Sequence, residues 1–297
     1  MNNPIFAFQA RRRMRSLQVP IILTLYTSAL TAVAALTSYA RFLGPTFLIG
    51  DMSAQLAGYL LVLLLQFALL LLVAPAVTAS AISGERERQT LDLLLVTGTS
   101  SLKLMLGKLL ESFCFLALMV VCSMPVLSLI ILTGSATVTQ VLQSVAFLIL
   151  FVLYALSIGL MCSTLFRRAA TSTIASYLAV FLIGILTLLP LWYDVKRIGD
   201  LYDALTESGI QVQALDYTPI SFIINPGLGL FALLESQTAV FHNSLWSVSY
   251  TLSVTLDFLP LQKCVYGNMI FMAVASAALI LLGALRLRPG RERIRRR

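Results

Sequence analysis

Hydrolytic and metal chemistry need a base beside a nucleophile, or several ligands converging on one point, and the 297-residue sequence holds a single histidine, His242. No Gly-x-Ser-x-Gly motif accompanies it, so His242 reads as a surface residue. Cys114, Cys122 and Cys162 fall inside apolar runs and Cys264 opens another, with no Cys-x-x-Cys spacing. They read as small packing residues, not as metal ligands or a disulfide framework. Gly107-Lys108 has the ending of a phosphate-binding loop. Leu102, however, stands where that loop needs its first glycine, and Leu109 where it needs a magnesium-binding hydroxyl. The sequence thus predicts no nucleotide, metal or catalytic site in this chain. Lys108 is expected instead to open an apolar span and snorkel to the headgroups, with Glu111 one helical turn on as its partner. The apolar runs otherwise lack ionisable residues, which argues against an ion-coupled transporter.

What remains is the chemistry of contact, concentrated in SGERERQTLDLLLVTGTSS, residues 83–101. A helix over 85–97 would place Leu91, Leu94 and Leu95 on one face, with Glu87 and Arg88 extending it. Glu85 and Glu87 suit its N-terminus and Gly98 its end. Each of those leucines is worth roughly 1.5–3 kcal/mol if fully buried, so the face must be covered. It can lie on the membrane, pack under the chain's own spans, or dock into a partner, and the residues alone leave these open.

The elements that must position this loop are membrane helices. Hydrophobic residues make up 59% of the chain, charged residues only 11%, and the mean hydropathy is +0.91. Soluble domains carry about 25% charged residues, and a helix crosses a bilayer core with about 20 apolar residues. Spans are expected near 18–40, 56–82, 107–132, 138–164, 171–192 and 264–286, with Pro75, Pro125 and Pro190 inside the second, third and fifth. Intramembrane proline frees a carbonyl and bends the axis. The first apolar run is too long for a signal peptide's core and is expected to be retained.

Of the 21 Lys and Arg, all but Arg41, Lys196, Arg197 and Lys263 fall on one side of this layout. The positive-inside rule then makes both termini and the loop 83–101 cytoplasmic, in a multi-pass protein of the cell membrane. The net charge of +8 is explained by that asymmetry and by anionic lipid, not by nucleic acid. Residues 1–17 read as a short interfacial helix, with Ile5, Phe6 and Phe8 toward the headgroups and Arg11, Arg12, Arg13 and Arg15 on phosphates; a disordered basic start that only sets topology is the alternative, less favoured by the early Phe pair. The outer segment 193–263 carries an amphipathic stretch, IGDLYDALTESG, and the run NPGLGLFALLES, which is apolar but too short to cross; a re-entrant or interfacial element and a passive folded outer loop both fit.

The stretch ISGERERQTLDLLLVTGTSSLKLMLGKLL resembles the loop after the second span in permease subunits of type-2 ABC exporters: acid-base-acid, Thr-Leu-acid, paired leucines, a small polar turn, then Gly-Lys. Asn3-Pro4-Ile5 before the arginine cluster is similar to that family's N-terminal elbow helix. Two places depart from the pattern: Gln9-Ala10, where many relatives carry glutamate, and Gly98, where many carry proline. The resemblance implies one all-α integral membrane domain over 1–297. It would hold six transmembrane helices, an elbow over 1–17, a coupling helix within 83–101, an extracellular segment over 193–263 and a basic cytoplasmic tail over 287–297. It implies that Glu85, Arg86, Glu87, Arg88, Thr90, Leu91, Asp92, Leu94 and Leu95 meet a separate ATPase subunit, which would hold the ATP and magnesium. The permease would work beside a second copy or a sister permease. A non-transporting scaffold or sensor that recruits a cytoplasmic partner through the same loop is the alternative.

Overall fold

The computed structural model describes residues 18–43, 52–91, 100–132, 136–208, 218–238 and 260–287. The expected elbow with Phe6, Phe8, Arg11, Arg12, Arg13 and Arg15 lies outside them, as do Asp92, Leu94 and Leu95 and the tail from 288 onward. Among the described residues the regular structure is all helical. That is the economical solution for apolar segments this long, because an α-helix satisfies its own backbone where no water can. The helices run in the order α1 (Gln18–Leu43), α2 (Met52–Thr78), α3 (Ser83–Glu87), α4 (Ser101–Cys122), α5 (Met124–Leu132) and α6 (Val138–Leu165). They continue as α7 (Ala169–Leu186), α8 (Leu188–Glu207), α9 (Ile220–Ile224), α10 (Pro226–Thr238) and α11 (Leu261–Arg286).

By length and composition six stretches can cross a membrane: Val19–Tyr39, Gly58–Glu87, Ser101–Leu132, Val138–Leu165, Ala169–Asp200 and Leu261–Arg286. These match the expected spans, with two adjustments. The third begins at Ser101, six residues earlier than Gly107, because Ser100 caps it by accepting the Lys103 N–H. The fifth runs on into α8 as far as Asp200, and IGDLYDALTE, the described helical part of the IGDLYDALTESG stretch, is the far part of α8 and not a separate helix.

The third and fifth spans are each broken once, at Ser123 and Thr187, shortly before Pro125 and Pro190. Proline withholds the N–H that the carbonyl four residues back would accept. At the breaks the hydroxyls of Ser123 and Thr187 hydrogen-bond back to the carbonyls of Val120 and of Ile183 and Gly184 in the preceding turn. Pro75, by contrast, sits inside an unbroken α2.

α6 is the centre of the bundle, packed by α2, α4, α7 and α11. Of its apolar window 72% is buried, against 11% for the first and fifth spans. The outer helices turn large apolar side chains outward, among them Leu25 and Leu36 on α1, Ile174 and Phe181 on α7, and Ile270 and Val274 on α11. Such faces suit hydrocarbon, where the driving force is packing and not escape from water.

At the end of the bundle away from α3, the NPGLGLFALLES run forms α10 and folds back against α11 and α6, with Leu230, Leu233 and Leu234 buried. Asn225 makes the turn between α9 and α10, and its amide donates to Thr187 Oγ1 (2.7 Å) and to the Gly184 carbonyl (3.2 Å) at the break in the fifth span. Asn268 of α11 donates to the carbonyls of Phe222, Ile223 and Asn225 (2.9, 2.9 and 3.1 Å). The Phe222 and Ile223 carbonyls at the end of α9 are thus held by one side-chain amide. Gly229 lets α10 come this close: a Cβ there would lie 2.4 Å from Asn268 Cγ.

Candidate functional site: the loop after the second span

Beyond Thr78 the chain turns through 79–82 and enters the single-turn helix α3. Both backbone N–H groups at its start, of Ile82 and Ser83, donate to one hydroxyl, Ser163 Oγ of α6, at 2.8 and 2.9 Å. Ser163 therefore does from another helix what an N-cap side chain does from within. The approach is tight: a Cβ at Gly159, one turn along α6, would lie 2.1 Å from Thr78 Oγ1 and 3.2 Å from Thr78 Cβ.

The alternating charges then separate by direction. Glu85 Oε1 pairs with Lys108 Nζ of α4 at 2.5 Å. Arg86 reaches the carbonyls of Thr164 and Phe166 (3.4 and 3.5 Å) at the C-terminal end of α6, where a cation meets free acceptors and the negative end of the helix. Glu87 Oε2 accepts the Ala169 N–H at 3.3 Å at the start of α7, whose own N-cap residue, Arg168, supplies no side-chain cap. Neighbouring residues of opposite sign thus close the two helix ends that flank the α6–α7 turn.

α3 ends in a Schellman motif. The Thr90 N–H bonds to the Glu85 carbonyl and the Gln89 N–H to the Arg86 carbonyl, with Gln89 at φ 58° in the left-handed region. The expected helix over 85–97 is therefore interrupted after Glu87, because no right-handed helix continues through that φ. Leu91 lies past this turn, buried at 4% exposure in the chain's own core. For that leucine the choice left open by the residues falls to self-packing. Lys108 is also corrected: it points inward to Glu85 and is buried, not snorkelling. An ion pair to a carboxylate in the same low-dielectric layer stabilises the charge better than a stretched stem alone.

The structure brings Glu85, Arg86, Glu87 and Leu91 into the intramolecular joint and leaves Arg88, Gln89 and Thr90 exposed. Beside them Phe166, Arg167 and Arg168 are exposed on the α6–α7 turn. Ser163, Gly159 and the helix-end groups of α6 and α7 carried no local sequence signal, since each matters only through a residue about 80 positions away. Among the described residues no three His, Cys, Asp or Glu gather to hold a metal. The arrangement joins one short helix to α4, α6 and α7 at once, with the exposed residues Arg88, Gln89 and Thr90 following it.

Residues 19–285 match the family described as ABC-2 family transporter protein. No curated protein matches the chain.

Proposed function

The chain belongs to the ABC-2 transporter family, and we propose on that premise that it is the membrane-spanning subunit of an ATP-driven exporter, coupled to separate ATPase subunits through the loop 83–101. Membrane subunits of this family generally lack a nucleotide-binding site of their own, so ATP and magnesium belong to the partner. The observation that carries the reading is the joint at α3. A force applied to its exposed residues passes through Glu85–Lys108 into α4, through Arg86 and Ser163 into α6, and through Glu87 into α7. Closure of two ATPase subunits would push two such joints and switch a pair of permeases between inward- and outward-facing states. In this reading the charges of α3 serve the joint, while Arg88, Gln89, Thr90 and the undescribed Asp92, Leu94 and Leu95 face the ATPase. Glu85 Oε2 is buried without a hydrogen-bond partner among the described residues, and in this reading it is open to a donor from the elbow or the ATPase. The termini and the α3 end are assigned to the cytoplasm on the bias of Lys and Arg.

The test is copurification of the full chain from its native membrane. An ATPase with a phosphate-binding loop should come with it, and Arg88→Glu should reduce that recovery at least about tenfold, the effect of roughly 1.4 kcal/mol lost at a contact. The exposed site predicts an unchanged thermal midpoint for the variant. Recovery of the chain with no ATPase, from wild type, would instead favour the scaffold reading.

A further inference from the structure

A second feature lies deeper in the bundle than the α3 joint: a cavity of about 220 Å³ enclosed by α2, α6, α7 and the turn from α9 into α10. Phe67, Phe151, Tyr154, Ile158, Ile183 and Asn225 make most of its wall, and no charged side chain lines it. Phe67 and Phe151, with ring centroids 4.2 Å apart, stand near the middle of the second and fourth spans, so the cavity sits at hydrocarbon depth. Its polar side chains are Tyr154 and Asn225, and the amide of Asn225 is already committed. Asn225 Nδ2 donates to Gly184 and Thr187, and Asn225 Oδ1 accepts the Gly227 N–H at 2.8 Å. A ligand entering here meets a mostly apolar surface on which the Asn225 amide is already hydrogen-bonded.

The cavity opens sideways. Phe67 and Leu71 of α2 and Val180, Ile183 and Gly184 of α7 are only half-buried and Gly227 is exposed, so the mouth lies between α2 and α7 and reaches the α9–α10 turn; α2 and α7 are pinned on one side of it by Tyr177 Oη donating to the Leu72 carbonyl at 2.6 Å. Outside that mouth, at this depth, the solvent is hydrocarbon. Dry apolar cavities of about 150 Å³ take up apolar guests, and water has no partners to hold it in one. We propose that this cavity binds one acyl chain of a membrane lipid, admitted between α2 and α7. The chain end would rest on Phe151, Tyr154 and Ala155 of α6 and against the Asn225–Gly227 turn. It would there brace the folded-back α9–α10 element against the break in the fifth span.

The purified full-length chain in nanodiscs containing a phosphatidylcholine with a diazirine on its acyl chain provides the test, read by mass spectrometry after irradiation. Phe151, Tyr154 and Ala155 are at most 5% exposed, so bulk lipid around the bundle does not reach them. They should nevertheless carry label. Ala155→Leu should lower that label about tenfold, the factor for denying a chain roughly two methylenes of burial, while label on outward Ile174 and Leu178 stays unchanged. Gly184→Leu is the second variant: Gly184 lines the cavity and a Cβ there meets nothing within 4 Å, so the side chain starts into open space. An unlabelled α6 in wild type, or label on α6 that Gly184→Leu leaves unchanged, overturns the proposal. Because no ATPase takes part, the outcome is independent of the transport reading.

Discussion

Glu85, Arg86 and Glu87 follow one another in sequence but answer to α4, α6 and α7 respectively, because successive residues of a helix point about 100° apart. The Glu85–Lys108 pair is the least solvated of these contacts, with side chains 18% and 11% exposed. Lys108→Met would leave a carboxylate with little solvent and no ammonium, a loss of about 3 kcal/mol if the pair is fully desolvated and less in proportion to its exposure. Glu85→Leu takes this carboxylate from the Lys108 ammonium. The double variant Glu85→Leu/Lys108→Met removes both charges and should recover most of the loss, since neither desolvated ion is left behind. Thermal unfolding of the four forms in one detergent measures this. Losses that simply add in the double variant would show that the two side chains do not stabilise one another.

At the scale of elements, the turn after α3 is where local sequence and structure diverge most. The residues over 85–97 have helical periodicity, yet the chain adopts φ 58° at Gln89, a conformation that costs a residue with a Cβ roughly 1 kcal/mol and glycine little. The Schellman bonds of Thr90 and Gln89 and the burial of Leu91 outweigh that cost. Gln89→Gly should therefore raise stability by about 1 kcal/mol, read as a higher thermal midpoint, even though glycine inside an ordinary helix would lower it. A lower midpoint would mean that this residue is helical in the folded protein. The breaks at Ser123 and Thr187 were half legible, because Pro125 and Pro190 announce a disturbance. Sequence could not show that Pro75 would leave α2 intact, nor that Asn225 would reach the second break, since both depend on neighbours distant in the chain.

For the whole molecule, the six spans were readable because a bilayer imposes one length and one composition on every crossing helix, and both are written locally. The joint was readable as a place but not as a mechanism. The charges of 83–88 stood out against their apolar flanks, whereas Ser163, Lys108 and the helix ends they engage look ordinary in sequence. Which side of the membrane holds the joint rests on charge bias alone, and this is open to direct measurement. The four native cysteines lie in the spans, with Cys162 and Cys264 buried and Cys114 and Cys122 half-buried, so replacing them with serine or alanine gives a quiet background. On that background a cysteine at Gln89, an exposed position, should react with a membrane-impermeant maleimide only after the cells are opened. A cysteine at Asp216, in the segment before the last span, should react in intact cells. The reversed pattern would put the α3 joint outside, beyond the reach of any cytoplasmic ATPase, and the coupling proposal would fall with it. The match to the family and the count of spans would stand.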